Sequence, residues 1–228
     1  MKELEFVGVK AWENEELEYP KMNKKKRFYL FMWIYVLSGI AGTIYETILT
    51  LVLHQRFEYR SGCILGIVNF VYGMGGLVIC IIFCAKKWKV WQIYLMGAFF
   101  GGFFEMTLSY LEEAILGTRS WDYSNRFLNI AGRTTLPYML FWGLLCGLCV
   151  YGLYPLVHYL VDKLWGQAFK IVSIILFIVM GLDYTLSIMC IIRQNLRAEG
   201  LDAKILGTFI DNLFSEDYIL KRYPKMKF

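Results

Sequence analysis

The sequence predicts an all-α protein: a polytopic membrane bundle of about five transmembrane helices, with a re-entrant or interfacial loop before the fourth and an amphipathic C-terminal helix. Three observations predict it. Of 228 residues, 57% are hydrophobic and only 19% charged, against roughly 45–50% and 25% in an average soluble domain. The mean hydropathy is +0.46. Apolar runs long enough to cross a hydrocarbon core of ~30 Å, which takes about 20 residues, recur along the chain and are separated by short polar breaks. The same numbers exclude a disordered chain, which needs low hydrophobicity and high net charge. Six cysteines spread over 228 positions exclude a disulfide-stapled miniprotein.

Residues 1–27 form a tail with six glutamates and no apolar signal core, expected to remain untranslocated. The bundle occupies 28–192, with spans at 28–53, 62–85, 90–116, 134–160 and 168–192. Pro137 falls in the first turn of the fourth span, where proline is tolerated. Residues 193–228 form the third part. There Leu201, Ile205, Phe209 and Leu213 recur every four positions beside Leu206, Ile210 and Phe214, interspersed with Asp202, Asp211, Asn212, Glu216 and Asp217. That spacing describes an amphipathic helix, lying at the membrane interface or packed on the end of the bundle.

The formal charge of +5 does not indicate nucleic acid, because the basic residues flank apolar blocks instead of forming a soluble patch. On one side stand Lys21, Lys24, Lys25, Lys26, Arg27, Lys86, Lys87, Lys89, Lys163 and Lys170; on the other Arg56, Arg60, Arg119, Arg126 and Arg133. Short-loop charge therefore predicts a multi-pass cell-membrane protein with its N-terminus in the cytoplasm. Arg193, Arg197, Lys204, Lys221, Arg222, Lys225 and Lys227 oppose this, since the tail then faces outward.

Ionisable residues inside spans are costly and mark function by default. The spans contain Glu46, Glu105, Glu112, Glu113 and Asp183. Spans one, three and five run in the same direction, and each acid lies in the C-terminal half of its span. All five therefore approach one membrane face, where loops deliver Arg60, Arg119, Arg126 and Arg133. Ser38, Gly42 and Glu46 share a helical face, as do Gly101, Glu105, Ser109 and Glu112, with Glu113 at the margin; Gly97 and Gly101 permit close helix contact. The simpler reading is that these acids pair with the arginines to lock helices together.

The connector 117–133 carries Trp121, Asp122, Tyr123, Ser124, Asn125, Arg126, Asn129, Gly132 and Arg133 among apolar Phe127, Leu128 and Ile130. It is too polar to cross lipid and too apolar for a free loop, so it is expected to fold back as a cap. An aromatic membrane-interface anchor accounts for Trp121 and Tyr123 but not for Asp122, Asn129 and Arg133. Span two opens on Arg60, Gly62, Gly66, Asn69, Tyr72, Gly73, Gly75 and Gly76. No strand precedes this run and no Gly-Lys-Ser/Thr follows it, so close packing, not a phosphate cradle, is expected. Cys146 and Cys149, like Cys80 and Cys84, read as small hydrophobes. His54 and His158 fall on opposite faces, which leaves neither a metal site nor a Ser-His-Asp set.

Tyr45-Glu46 after Gly42, Arg60-x-Gly62-x-x-x-Gly66 leading to Tyr72-Gly73-x-Gly75, Glu105-x-x-x-Ser109-x-x-x-Glu113, Trp121-Asp122-Tyr123-Ser124, Asn129, Gly132-Arg133 and Trp142-Gly143 resemble the CmpB family of type IV ABC-transporter permeases over about residues 35–150. The Trp-Asp-Tyr-Ser run with its downstream Asn and Gly-Arg is the specific part. The family usually has prolines where this chain has Ile67 and Phe70, so the bend there is expected to differ. The resemblance implies a transport role; from the residues themselves no cofactor or metal is expected. Taken together, the expected ligand-contacting set is Glu46, Arg60, Tyr72, Glu105, Ser109, Glu113, Trp121, Asp122, Tyr123, Asn129, Arg133 and Asp183.

In that role, arginines in a desolvated pocket suit a small anionic solute or lipid headgroup. Five spans are few for a complete transporter, so homo-oligomerisation or a partner transport subunit, including an ATPase, is expected alongside membrane lipids. Two alternatives stand. One is a membrane-embedded enzyme acting on a lipid or isoprenoid, with Glu46, Glu105 and Asp122 as acid–base candidates and Arg60 and Arg133 orienting the substrate. The other is a sensor or scaffold. An enzyme is the less favoured expectation.

Overall fold

The structure is a computed structural model, and it describes residues 22–84, 88–201, 204–224 and 226. The acidic tail up to Lys21, and Lys86, Lys87, Asp202, Lys225 and Lys227, lie outside the described residues, as do the side chains of His54, Lys204, Ile205 and Leu206.

Helix α1 (Lys24–His54) starts where the Asn23 side chain accepts from the Lys26 N–H, and ends at Gln55 in a left-handed cap. It is followed by α2 (Phe70–Phe83), α3 (Val90–Leu116), a two-residue antiparallel pair β1 (Asn129–Ile130) and β2 (Thr134–Thr135), α4 (Leu136–Leu148), a π-helical turn (Cys149–Leu153), α5 (Tyr154–Lys163), α6 (Gln167–Ala198), α7 (Lys204–Leu213) and α8 (Glu216–Arg222). The π turn stands just ahead of Pro155. That residue offers no N–H to the helix ladder, and a local shift in spacing accommodates the loss.

Among the described residues, three helical runs are long and apolar enough to cross a membrane: Lys24–Leu53, Leu136–Lys163 (α4 through α5) and Gln167–Ala198. Phe70–Phe83 is a shorter apolar helix. Helix α3, at 27 residues, carries Glu105, Glu112 and Glu113 and is less apolar than these three. The main core lies where α1, α2, α3, α4 and α5 meet, around Leu30, Ile34, Ile79, Phe83, Ile93, Cys146, Val150 and Val157. Outward faces remain apolar, with Val172, Ile175, Ile178, Val179 and Leu182 exposed along α6, as a helix bordered by lipid requires.

The second expected span departs most from expectation. Residues 62–69 are not helical; α2 begins only at Phe70, where the Asn69 side chain caps the Val71 and Tyr72 N–H groups. Gly62 sits at φ +68°, a conformation that glycine adopts without a Cβ penalty. The unwound stretch is held by α6, as described below.

The tail also differs from one continuous amphipathic helix. It breaks at Ser215, whose side chain accepts from the Tyr218 N–H to start α8. Ile210, Ile219 and Tyr223 pack beneath it with Ile64, Cys190 and Ile191. Leu201, Phe209 and Leu213 point outward, so the buried stripe is offset from the four-residue repeat.

Candidate functional site

Glu46, in the last third of α1, receives two different donors. Arg60 Nη2 lies 3.1 Å from one carboxylate oxygen, and the Tyr72 hydroxyl donates to the other at 2.8 Å. Asn69 braces the connector by donating to the Arg60 carbonyl at 3.2 Å. Arg60 Nε is buried and meets no acceptor among the described residues. The Tyr72 ring lies where a Cβ on Gly42 would stand, so the small residue before Tyr45-Glu46 permits this approach. On its other side Tyr72 stacks on Trp142, with centroids 6.0 Å apart.

Glu105 of α3 is 7% exposed. It accepts from the Thr134 hydroxyl at 2.6 Å and from the Tyr123 hydroxyl at 3.1 Å. Tyr123 stacks on Tyr138 at 4.8 Å. Burial, with the Glu105 charge adding to it, pushes the Tyr123 phenol well above its usual range, so it stays a donor. Trp142 of α4, stacked on Tyr72, also meets the Phe104 ring of α3 edge-on at 6.0 Å. Aromatic contacts thus link the acid of α1 to the helix that carries Glu105.

Beside it, Arg133 donates to Ser109 Oγ at 2.9 Å, pairs with Glu113 and lies 3.7 Å from the Tyr110 ring centroid. Arg119 joins Glu113 at 3.4 Å. The Trp121 indole donates to the Arg133 carbonyl at 2.9 Å, tying the connector to the start of α4. Glu112 accepts from the Ser120 N–H at 2.8 Å.

Not every expected site residue joins this group. Asp122 accepts from the Ser124 N–H and hydroxyl at 3.0 and 2.6 Å, and Asn129 donates to the Ser124 and Arg126 carbonyls at 3.2 and 2.9 Å. Both shape the connector. Asp183 faces the unwound stretch before α2, accepting from the Leu65 and Gly66 N–H groups at 2.9 and 2.8 Å. Thr134 and Tyr138 escaped the sequence reading. A threonine next to Arg133 was the available signal for the first; nothing distinguishes the second from other aromatics.

An apolar groove of about 240 Å³ lies between another face of α1 and the following connector, lined by Ile40, Thr43, Thr47, Phe57, Tyr59 and Ile67 among others; neither Glu46 nor Arg60 lines it. Among the described residues no three His, Cys, Asp or Glu side chains are grouped to hold a metal ion.

Comparison with known proteins adds a single match. No curated protein and no solved structure matches the chain. One family profile covers residues 33–188, a stretch that includes every expected site residue and most of the apolar helices. The chain is a membrane protein that belongs to that family, described as "Putative ABC-transporter type IV".

Proposed function

We propose that the chain is the membrane component of a transport system, and that Glu46, Arg60 and Tyr72, with Glu105 and Tyr123 behind them, contact a small anionic solute or lipid headgroup. Family membership supports the transport class. The observation that carries the anion is Arg60: a half-buried guanidinium whose buried Nε meets no acceptor among the described residues and which pairs with the Glu46 carboxylate. A phosphate or carboxylate offers two oxygens to the guanidinium edge, where Glu46 engages it through one. The incoming anion displaces Glu46, which keeps its bond to Tyr72.

In this reading α2 and α3 complete a five-span bundle and the N-terminus is cytoplasmic. The polar cluster then lies toward the outer face, while an ATPase subunit engages the opposite side. Repeated copies of the chain or a partner subunit complete the path.

The Tyr72–Trp142 stack makes tryptophan fluorescence a reporter of the site. Titrating the purified protein with inorganic phosphate, and separately with short-chain phosphatidic acid, is expected to give a saturable change with one of them. Arg60→Gln abolishes it, and Arg126→Gln, in the exposed connector, does not. No saturable change with either compound, or an unchanged response in Arg60→Gln, overturns the reading.

A further inference from the structure

The unwound stretch before α2 is satisfied from two sides by different parts of the chain. On the donor side, α6 does the holding: Asp183 takes the Leu65 and Gly66 N–H groups, and Ser187 Oγ accepts from the Ile64 N–H at 2.8 Å. On the acceptor side, the partners come from α8. The Tyr218 hydroxyl donates to the Ile64 carbonyl at 3.0 Å. Arg222 donates to the Cys63 carbonyl through Nε at 2.9 Å, and through Nη2 to the Gly66 carbonyl at 3.0 Å and Ser61 Oγ at 3.2 Å. The Tyr59 ring covers the same guanidinium, 3.5 Å from Cζ to the centroid.

Two carbonyls, a hydroxyl and an aromatic face therefore converge on one cation. Unwound backbone at membrane depth persists where its polar groups find partners, and carbonyls freed by a broken helix coordinate cations in transporters. Every partner of Arg222 in this cradle is neutral. Its retention thus depends on the shape of the cradle, with no carboxylate specific to the tail. Part of that shape comes from α6, which holds the N–H groups of residues 64–66. The tail has a second anchor elsewhere: Asp211 of α7 accepts from Arg193 Nε at 3.1 Å and pairs with Arg197. The anchor of α7 therefore does not involve Arg222.

We propose that the cradle formed by Tyr59, Ser61, Cys63 and Gly66 is a binding site for guanidinium-type cations, which Arg222 occupies as a tethered ligand. A free guanidinium compound and the tail exclude one another there. The site adjoins Arg60 through the neighbouring residues Tyr59 and Ser61 but uses other side chains, and it does not depend on the reading of the Glu46–Arg60 cluster.

The test uses the full-length protein in detergent with methylguanidinium chloride, against sodium chloride at equal ionic strength. With the cradle vacated by Arg222→Ala, methylguanidinium is expected to raise the unfolding midpoint above the sodium control by at least about 2 °C. Wild type shows no such rise, and adding Tyr59→Leu to Arg222→Ala removes it. In wild type, methylguanidinium accelerates amide hydrogen exchange in α8 but not in α7. If Arg222→Ala does not fold, Arg222→Lys, which lacks the planar fork, carries the same comparison. Equal responses to the two salts, or α8 exchange indifferent to methylguanidinium in wild type, overturn the proposal.

Discussion

Asp183 and Glu46 are both acids in long apolar helices, yet the fold uses them differently. Asp183 gives its oxygens to backbone N–H groups of residues 65 and 66. Those donors are fixed in the chain and have nowhere else to go. Glu46 gives its oxygens to the side chains of Arg60 and Tyr72, which can rotate and take other partners. Glu105, held by two hydroxyls, resembles Glu46. An acid that satisfies backbone holds structure, whereas an acid satisfied by side chains belongs to a cluster that can rearrange around a ligand.

The largest expected effect tests the first half of that contrast. Asp183→Leu leaves two N–H groups unmet in a half-buried stretch, at about 1–3 kcal/mol each. Chemical unfolding in detergent should show a loss of about 2–5 kcal/mol, and Asp183→Asn, which keeps one acceptor, a smaller one. A loss under about 1 kcal/mol for Asp183→Leu would erase the distinction.

Gly42→Ala comes next. Its new Cβ meets the Tyr72 ring, and overpacking of this kind costs about 1–3 kcal/mol. The Tyr72–Trp142 stack should be disturbed, which tryptophan fluorescence reads. Glu105→Gln sharpens the second half: it preserves shape and one acceptor, and the other hydroxyl can turn to accept from the new amide, so stability should change by less than about 1.5 kcal/mol while transport or ligand response falls.

The smallest effect concerns the tail. The Arg193 hydrogen bond, with the charge of Arg197 adding to it, holds the Asp211 carboxyl below its usual range. The folded value is the depressed one, so the contribution is present above the ordinary carboxylate range and lost as pH falls through the folded value. For a pair this exposed it is no more than about 1 kcal/mol. Hydrogen exchange of α7 should rise on acidification in wild type and stay level in Asp211→Asn.

Much of this was legible in the sequence. Apolar run length marked α1, α4 with α5, and α6. The unwinding of 62–69 was not legible from hydropathy, because Ile64, Leu65, Ile67 and Val68 keep the run apolar. Gly62 and the capping Asn69 were the local signals, but the decisive partners, Asp183 and Ser187, stand more than a hundred residues away. Arg222 was hidden likewise: a tail arginine reads as solvated until the carbonyls it meets are known. Asp122 and Asn129 carry the composition of a binding loop, and only the fold shows them hydrogen-bonded to other groups of that same loop.

The central claim is that Glu46 competes with an anion for Arg60. Phosphate or phosphatidic acid titration of Glu46→Gln, read by tryptophan fluorescence, tests it most directly. With the competing charge removed and the Tyr72 contact kept, binding should tighten by roughly tenfold, about 1.4 kcal/mol. Affinity that is unchanged or weakened in Glu46→Gln would contradict the account.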